Sequence, residues 1–225
     1  MSTPPVELVV LDMAGTTVLD DGLVERAASR ALTEAGAADL DAALDYVRRT
    51  MGQSKIEVFR AVLPDEAAAQ RANTVFEAAY AELVTAGHCA EVPGAAETIR
   101  ALRGRGLKVA LTTGFARPTQ DAILAALGWR DLADLALTPA DAGRGRPHPD
   151  LVLTAVLRLG VSDVRAVAVV GDTPSDVLSA LRAGASLAVG VLTGAGVEAE
   201  LTAAGATHVL DSVRDLPALL DQRQR

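Results

Sequence analysis

The sequence contains few of the residues that build disulfide frameworks and cysteine metal centres. Cys89 is the only cysteine among 225 residues, which excludes an internal disulfide and a metal site made of several cysteines. The three histidines, His88, His148 and His208, are widely spaced and form no metal-ligand pattern. We therefore look for the chemistry of this chain among other residue types.

Long apolar runs are also missing. Half of the residues are hydrophobic, but no run reaches the roughly 18–20 residues that a membrane span needs. Residues 1–5, MSTPP, lack the basic and apolar segments of a signal peptide, so we expect a cytoplasmic protein without a membrane partner. The net charge of −8 argues against a nucleic-acid partner, although a local positive pocket can still bind an anionic substrate.

What the sequence does contain is a repeated alternation of apolar blocks and helix-like segments. Such near-continuous apolar blocks are typical of strands that are covered on both faces. The predicted strands are Val6–Leu11, Leu107–Thr112, Leu135–Thr138, Ala166–Val170, Leu187–Val191 and His208–Leu210. The predicted helices between them are Ala95–Arg103, Pro118–Leu127, Pro149–Leu159, Pro174–Ala183 and Val197–Ala204. This order predicts an α/β fold with a Rossmann-like parallel sheet.

Residues 20–88 break the alternation. The interval is rich in Ala, Leu, Arg and Glu and contains no convincing strand, and it is too long for an ordinary loop. We therefore predict a helical cap domain at 20–88, inserted into a core domain formed by 1–19 and 89–225. Because ligands of parallel sheets bind beyond the carboxyl ends of the strands, an insertion after the first strand is expected to lie over the site.

Polar motifs follow four of the predicted strands and their loops. They are DMAGTT with Asp12, LTTGF with Thr113 and Gly114, GRGRP with Arg146, and VVGDTPSD with Asp172 and Asp176. Asp12 can act as a nucleophile, and Thr113 with the Gly114 amide can hold phosphate oxygens. The Arg146 guanidinium matches the fork of a phosphate group, and Asp172 and Asp176 supply the hard oxygen ligands that Mg²⁺ prefers. Together they indicate phosphoryl transfer through an aspartyl-phosphate.

Each motif also has a simpler structural interpretation when it is taken alone. An aspartate after a strand is commonly a cap or turn residue. GDTPSD can start a helix, with Asp172 or Thr173 as the cap and Pro174 in the first turn. GRGRP is most often a solvated basic loop, and the glycine-rich turn LTGAG at 192–196 is weak evidence for a phosphate loop. It is the ordered conjunction of these motifs at strand ends that favours a catalytic site.

In this order and spacing the motifs resemble those of the haloacid dehalogenase superfamily, with the insertion placed where that superfamily has a C1-type helical cap. The usual first motif of the superfamily has a second aspartate where this chain has Ala14, and its third motif usually supplies a lysine where this chain has Arg146. Both departures are similar to the pattern of the phosphonoacetaldehyde hydrolase (phosphonatase) branch. That branch also carries M-G-x-x-K in the cap, and residues 51–55 read MGQSK.

The resemblance implies specific roles for residues of this chain. Lys55 is expected to form a Schiff base with an aldehyde substrate. Met51 and Gly52 of the same segment are expected to line the substrate site, with packing inside the cap as the alternative for Met51. The backbone carbonyl of Ala14 is expected to join Asp12, Asp172 and Asp176 around Mg²⁺, and the caps are expected to form a homodimer. Val58 and Phe115 stand where that branch usually has histidine and tyrosine, so the resemblance does not assign the proton-transfer groups.

The chemistry of C–P cleavage explains why an alanine can stand at position 14 when Lys55 forms a Schiff base. Cleavage of a C–P bond expels a carbanion, which an acid that protonates oxygen rescues poorly, whereas an iminium accepts those electrons as an enamine. Desolvation or nearby positive charge would lower the pKa of Lys55 and supply the neutral amine. The sequence thus predicts a Mg²⁺-dependent phosphonatase-like hydrolase.

Two alternatives stay open at this stage. A phosphomonoesterase acting on a small phosphorylated metabolite would use Lys55 only as a substrate-binding charge and would need another acid, for which Asp20, Asp21 or Glu57 can be considered. A non-catalytic ligand-binding module on the same scaffold is an alternative of another class. The retention of Asp12, Arg146, Asp172 and Asp176 argues against it.

Overall fold

A computed structural model describes residues 4–223 of the chain. Its strands are β1 (Leu8–Asp12), β2 (Lys108–Thr112), β3 (Leu135–Leu137), β4 (Val167–Gly171), β5 (Leu187–Val191) and β6 (His208–Leu210). They form one six-stranded sheet in the order β3-β2-β1-β4-β5-β6, and every pairing is parallel. The predicted α/β fold and all six predicted strands are confirmed, with small shifts at the strand ends.

Helices surround the sheet and fill the insertion after β1. They are α1 (Leu23–Ala35), α2 (Leu40–Arg49), α3 (Lys55–Val62), α4 (Glu66–Leu83), α5 (Ala95–Gly104), α6 (Arg117–Ala126), α7 (Pro139–Ala142), α8 (Asp150–Leu159), α9 (Pro174–Ala183), α10 (Glu198–Ala203) and α11 (Leu216–Arg223). The five predicted core helices correspond to α5, α6, α8, α9 and α10. Helices α7 and α11 were not among the predictions.

The sheet is buried on both faces, as its continuous apolar strands predict. In β1, Val9 and Leu11 join one apolar cluster, and Leu8 and Val10 join another on the opposite face. This alternation follows from the two-residue period of a strand. The cluster that contains Val9 extends into the insertion, so the cap and one face of the sheet share a continuous core.

Between β1 and α5 the structure has the helices α1 to α4 and no strand among its described residues, which confirms the inserted helical cap. Helix α1 buries Val24, Ala28 and Ala31 along one stripe, the spacing of an amphipathic helix, and packs against α4. The two segments that join the cap to the core are hydrogen-bonded to each other, from Leu19 N to Ala90 O at 2.9 Å and from Val92 N to Thr17 O at 2.9 Å. The domain bounds at 20 and 88, and a homodimer through the cap, stay predictions.

No helix within residues 4–223 has the combination of length and apolar character that crossing a membrane requires.

Candidate active site

The carboxyl ends of three neighbouring strands bring the predicted catalytic residues together. Asp12 is the last residue of β1 and lies in register with Thr112, the last residue of β2. Asp172 directly follows Gly171 at the end of β4, which pairs with β1 on its other side. Because parallel strands end at the same edge, the side chains after β1, β2 and β4 converge there.

A buried guanidinium connects two of the predicted acidic residues. Arg146 Nη1 lies 2.7 Å from Asp12 Oδ1, and the same nitrogen donates a hydrogen bond to Asp176 Oδ1. All three side chains are 3% exposed. Arg146 Nε is buried with no hydrogen-bond partner in the described structure, so one donor of the guanidinium is left for a ligand. The predicted phosphate-binding role of Arg146 fits this environment.

Excess negative charge around Asp12 indicates a place for a cation. Burial raises the pKa of Asp12 well above its usual value; Arg146 lowers it, and the neighbouring Asp176 and Asp172 raise it again. Burial and then Asp176 raise the pKa of Asp172 to about 6. Oxygens of all three carboxylates lie within 4.8 Å of one another, and within this cluster the positive charge next to Asp12 is that of Arg146. These residues therefore fit a divalent cation with oxygen ligands.

Asp172 is held in place by residues that the sequence did not single out for this purpose. Thr16 Oγ1 donates to Asp172 Oδ1 at 3.0 Å, and Ala195 N donates to Asp172 Oδ2 at 2.8 Å. A Cβ at Gly15 would lie 2.4 Å from Asp172 Oδ2, and a Cβ at Gly194 would lie 2.0 Å from the same oxygen. The turn at 192–196, for which a phosphate loop was considered, thus packs on and orients the carboxylate of Asp172.

Asp176 combines the two interpretations of the GDTPSD motif. Thr173 caps α9, Pro174 is its first residue, and Asp176 Oδ2 accepts hydrogen bonds from Thr173 N at 3.1 Å and Thr173 Oγ1 at 2.5 Å. Its other oxygen accepts from Arg146. The residue therefore starts a helix and at the same time belongs to the acidic cluster.

The MGQSK segment of the cap packs directly on the core. We call residues 51–54, which turn between α2 and α3, the cap loop. Lys55 N donates to the Gly114 carbonyl at 3.3 Å. A Cβ at Gly114 would lie 2.4 Å from Gln53 O, and one at Gly52, where φ is +81°, would lie 2.6 Å from Thr173 Oγ1. Glycine at these two positions permits the close approach of cap and core.

Lys55 begins α3, and its amine is buried above the core. The residue is 6% exposed, and its Nζ lies 5.8 Å from the centre of the Phe115 ring. Burial, followed by the positive charge of Arg146, lowers the pKa of Lys55 to about 8, because both destabilise the charged ammonium. A fraction of this amine is therefore neutral near neutral pH and able to act as a nucleophile.

One cavity of about 400 Å³ connects these groups. It is lined by predicted site residues from both parts of the chain: Asp12, Ala14, Met51, Gly52, Lys55, Thr113, Gly114, Arg146 and Asp172. Asp176 does not line the cavity but contacts Arg146, which does. Ala14 lies on the wall, but participation of its carbonyl in metal binding stays a prediction. Asp20, Glu25 and Arg48 also line this cavity. Asp20 was considered from the sequence as an acid for a phosphomonoesterase, whereas Glu25 and Arg48 carried no sequence signal.

Phe115 lines the same cavity, and its ring packs against two aromatic side chains of the cap. Its ring centre lies 4.8 Å from that of Tyr80 and 6.1 Å from that of Phe76. These rings make the wall beside Lys55 apolar, which contributes to the desolvation of the amine. Val58, also buried, offers no hydroxyl or imidazole for proton transfer.

A family model described as haloacid dehalogenase-like hydrolase matches residues 6–184 of the chain. The chain belongs to the haloacid dehalogenase-like hydrolases. The matched range includes the four strand-end motifs and the MGQSK segment of this hydrolase, from Asp12 to Asp176.

Among curated relatives, this hydrolase is 29% identical to the phosphonoacetaldehyde hydrolase of Bacteroides fragilis, over 96% of its own chain and 95% of the relative. It is 32% identical to that of Syntrophobacter fumaroxidans, over 98% and 84%. Among solved structures, a phosphonoacetaldehyde hydrolase like protein from Oleispira antarctica matches with a TM-score of 0.86 at 27% identity, covering 99% and 94%. A hydrolase from Pseudomonas syringae matches with a TM-score of 0.86 at 26% identity, covering 96% and 98%. The predicted similarity to the phosphonatase branch is confirmed.

Proposed function

We propose that this hydrolase cleaves the C–P bond of a small phosphonate aldehyde, phosphonoacetaldehyde or a close analogue. The observation that carries the proposal is the buried Lys55 amine, whose pKa is about 8, in one cavity with Asp12 and Arg146. Hydrolysis of a phosphate ester requires no amine nucleophile in the site. Cleavage of a C–P bond next to an aldehyde uses one, because the amine converts the aldehyde into an iminium that accepts the electrons of the bond. The names of the curated relatives support the same substrate class.

The phosphorus half of the reaction uses the core. Arg146, with its unpartnered Nε, and Thr113 bind the phosphonate oxygens. Asp12 at the end of β1 attacks phosphorus to form an aspartyl-phosphate, which water then hydrolyses to phosphate and the free Asp12 carboxylate. Mg²⁺ held by Asp12, Asp172 and Asp176 would offset the repulsion between the nucleophile and its anionic substrate. Asp172 is oriented for that role by Thr16 and Ala195.

The carbon half uses the cap. The neutral amine of Lys55 adds to the aldehyde carbon, and loss of water with uptake of one proton gives an iminium. When the C–P bond breaks, its electron pair moves into the iminium and forms an enamine on Lys55. Ala14 supplies no acid beside Asp12, which agrees with a leaving group that is stabilised through Lys55 instead.

The closed arrangement of cap and core brings the two halves together. Gly52 packs on Thr173, and Gln53 packs on Gly114, so the cap loop meets the edge of the core at the cavity. Such a contact holds the reacting groups in a fixed geometry and keeps bulk water away while the C–P bond is cleaved.

Borohydride trapping tests the proposal with unusual clarity, since Lys55 and Lys108 are the only lysines of the chain. Lys108 donates to the Leu159 carbonyl and starts β2, away from the cavity. With phosphonoacetaldehyde and borohydride, we expect a reduced adduct on the peptide that contains Lys55 in the wild type and in Lys108→Arg. Lys55→Arg should lose both the adduct and turnover.

Other results would select the alternatives. Turnover of ordinary phosphate esters with no adduct on Lys55 would replace the proposal by a phosphomonoesterase. Tight phosphonate binding with no turnover of phosphonates or esters in the presence of Mg²⁺ would support a binding module.

A further inference from the structure

Asp20 is a carboxylate of the cavity that the proposed reaction does not use. It follows the first motif and precedes α1, and it lines the cavity together with Lys55. Asp20 Oδ1 accepts a hydrogen bond from Val24 N at 3.0 Å, which fixes the side chain at the start of the helix. The carboxyl group therefore has a defined position in the wall that the cap contributes.

Its neighbour Glu25 is committed elsewhere. Glu25 Oε1 pairs with Arg48 Nη2 at 2.5 Å, and Glu25 Oε2 accepts from Arg48 Nε at 3.1 Å. Within residues 4–223, Asp20 is thus the cavity carboxylate that lies outside both this ion pair and the acidic cluster around Asp12.

We infer that Asp20 is the acid and base that processes the enamine on Lys55 after C–P cleavage. This inference rests on the proposed function, because the enamine exists only if Lys55 forms a Schiff base. Val58 and Phe115 carry no titratable group and cannot transfer these protons, so the inference assigns the transfers to Asp20.

The proton transfers in the inferred steps balance, and Asp20 ends in the protonated form in which it began. The protonated Asp20 carboxyl gives its proton to the terminal carbon of the enamine, whose electron pair forms the new C–H bond, and an iminium results. The Asp20 carboxylate then takes a proton from water as the water oxygen bonds to the iminium carbon. This gives a carbinolamine and restores the acid. Transfer of the carbinolamine hydroxyl proton to nitrogen, with cleavage of the C–N bond, releases acetaldehyde and the neutral Lys55 amine.

Electrostatics support this assignment. Burial raises the pKa of Asp20, while its hydrogen bond from Val24 N and the charge of Lys55 oppose that shift. In return, the charge of Asp20 raises the pKa of Lys55, against the larger effects of burial and Arg146. A carboxyl whose proton is held more tightly than usual is suited to donate it to carbon. When Lys55 is an uncharged enamine, the cationic partner that favours the Asp20 anion is removed.

Hydrogen exchange of acetaldehyde tests the inference without any phosphonate. An iminium on Lys55 that interconverts with its enamine exchanges the methyl hydrogens of acetaldehyde for deuterium in D₂O, which NMR follows. Asp20→Asn keeps an oxygen acceptor for Val24 N, so the start of α1 is preserved. Asp21→Asn is the matched control, because Asp21 is adjacent and exposed. In parallel, borohydride reports the iminium as an ethyl group on Lys55, with Lys55→Arg as the background.

We expect Asp20→Asn to exchange about 100-fold more slowly, the usual scale of general acid–base catalysis, while its Lys55 is still trapped; Asp21→Asn should match the wild type. Wild-type exchange in Asp20→Asn would overturn the inference and leave the proposed function intact. Loss of both trapping and exchange in Asp20→Asn would also overturn it, since Asp20 would then be needed to hold Lys55. Absence of both signals in the wild type would instead overturn the proposed function.

Discussion

Replacement of Gly114 by alanine is expected to separate the cap loop from the core. A Cβ at this position would lie 2.4 Å from Gln53 O and 2.9 Å from Gln53 C. Both are backbone atoms, so no flexible side chain can move aside. An ordinary van der Waals contact begins at 3.4 Å, and going from 2.4 to 3.4 Å requires the cap loop to move away by about 1 Å.

That movement displaces the proposed amine nucleophile, because Lys55 directly follows the cap loop and its N–H donates to the Gly114 carbonyl. A misplacement of about 1 Å can lower a rate about 100-fold. We therefore expect Gly114→Ala to lower kcat/KM for acetaldehyde formation from phosphonoacetaldehyde by about that factor. Gly114 has no positive φ, so the backbone of the alanine is unstrained, and the loss in unfolding free energy should stay at the roughly 1–3 kcal/mol of a local overpacking contact.

Gly104→Ala provides the matched control. Gly104 is the last residue of α5, and an added Cβ there would meet nothing within 4 Å. Steady-state kinetics and denaturant unfolding of both variants separate a displaced loop from a damaged fold. Wild-type kcat/KM in Gly114→Ala would refute the argument that the reactive state keeps the cap loop on Gly114. A large loss of stability in that variant would refute the argument that the cap alone gives way.

Three further outcomes follow from the site. At pH 7, Lys55→Met should raise the unfolding free energy by up to about 3 kcal/mol. The pKa of Lys55 in the folded state, about 8, lies below its usual value of 10.5, so the stability gained by the substitution should shrink as the pH rises from 8 to 10.5. Urea titrations of the wild type and the variant at several pH values measure this gain, and a gain that does not change with pH would contradict the prediction. Arg146→Lys should lower kcat/KM about 100-fold, since one ammonium cannot replace a fork; phosphate inhibition should weaken in parallel. Gly194→Ala should weaken Mg²⁺ binding by displacing Asp172, which calorimetry would detect against Gly104→Ala.

Several site residues could be predicted because they stand at the ends of strands. Asp12, Thr113 and Asp172 follow apolar blocks, and the ends of parallel strands meet at one edge of a sheet. Lys55 could be predicted only through the MG spacing of its segment, since a single lysine on a helix is usually solvated. Its burial, and the lowered pKa that results, depend on Phe115 and Arg146, which are remote from it in the sequence.

Other site residues could not be recognised from their position in the sequence, because their role depends on what they contact in the folded protein. Gly15 and Gly194 each leave room for the same carboxylate, although one follows β1 and the other follows β5. Asp20 resembles any acidic residue near a helix start until the cap places it in one cavity with Lys55. The helix-start interpretation of GDTPSD was also correct, because Thr173 caps α9, and Asp176 completes the capping box while it also bonds to Arg146.

Hydrophobic periodicity and turn residues are local properties of the chain, and they were enough to predict the parallel α/β core, the helical insertion and the order of the motifs. Which side chains share the cavity, and how their charges act on one another, could be seen only in the folded molecule. Those effects depend on distance and desolvation between segments that the fold brings together, and the cap loop on Gly114 is the contact that completes the site.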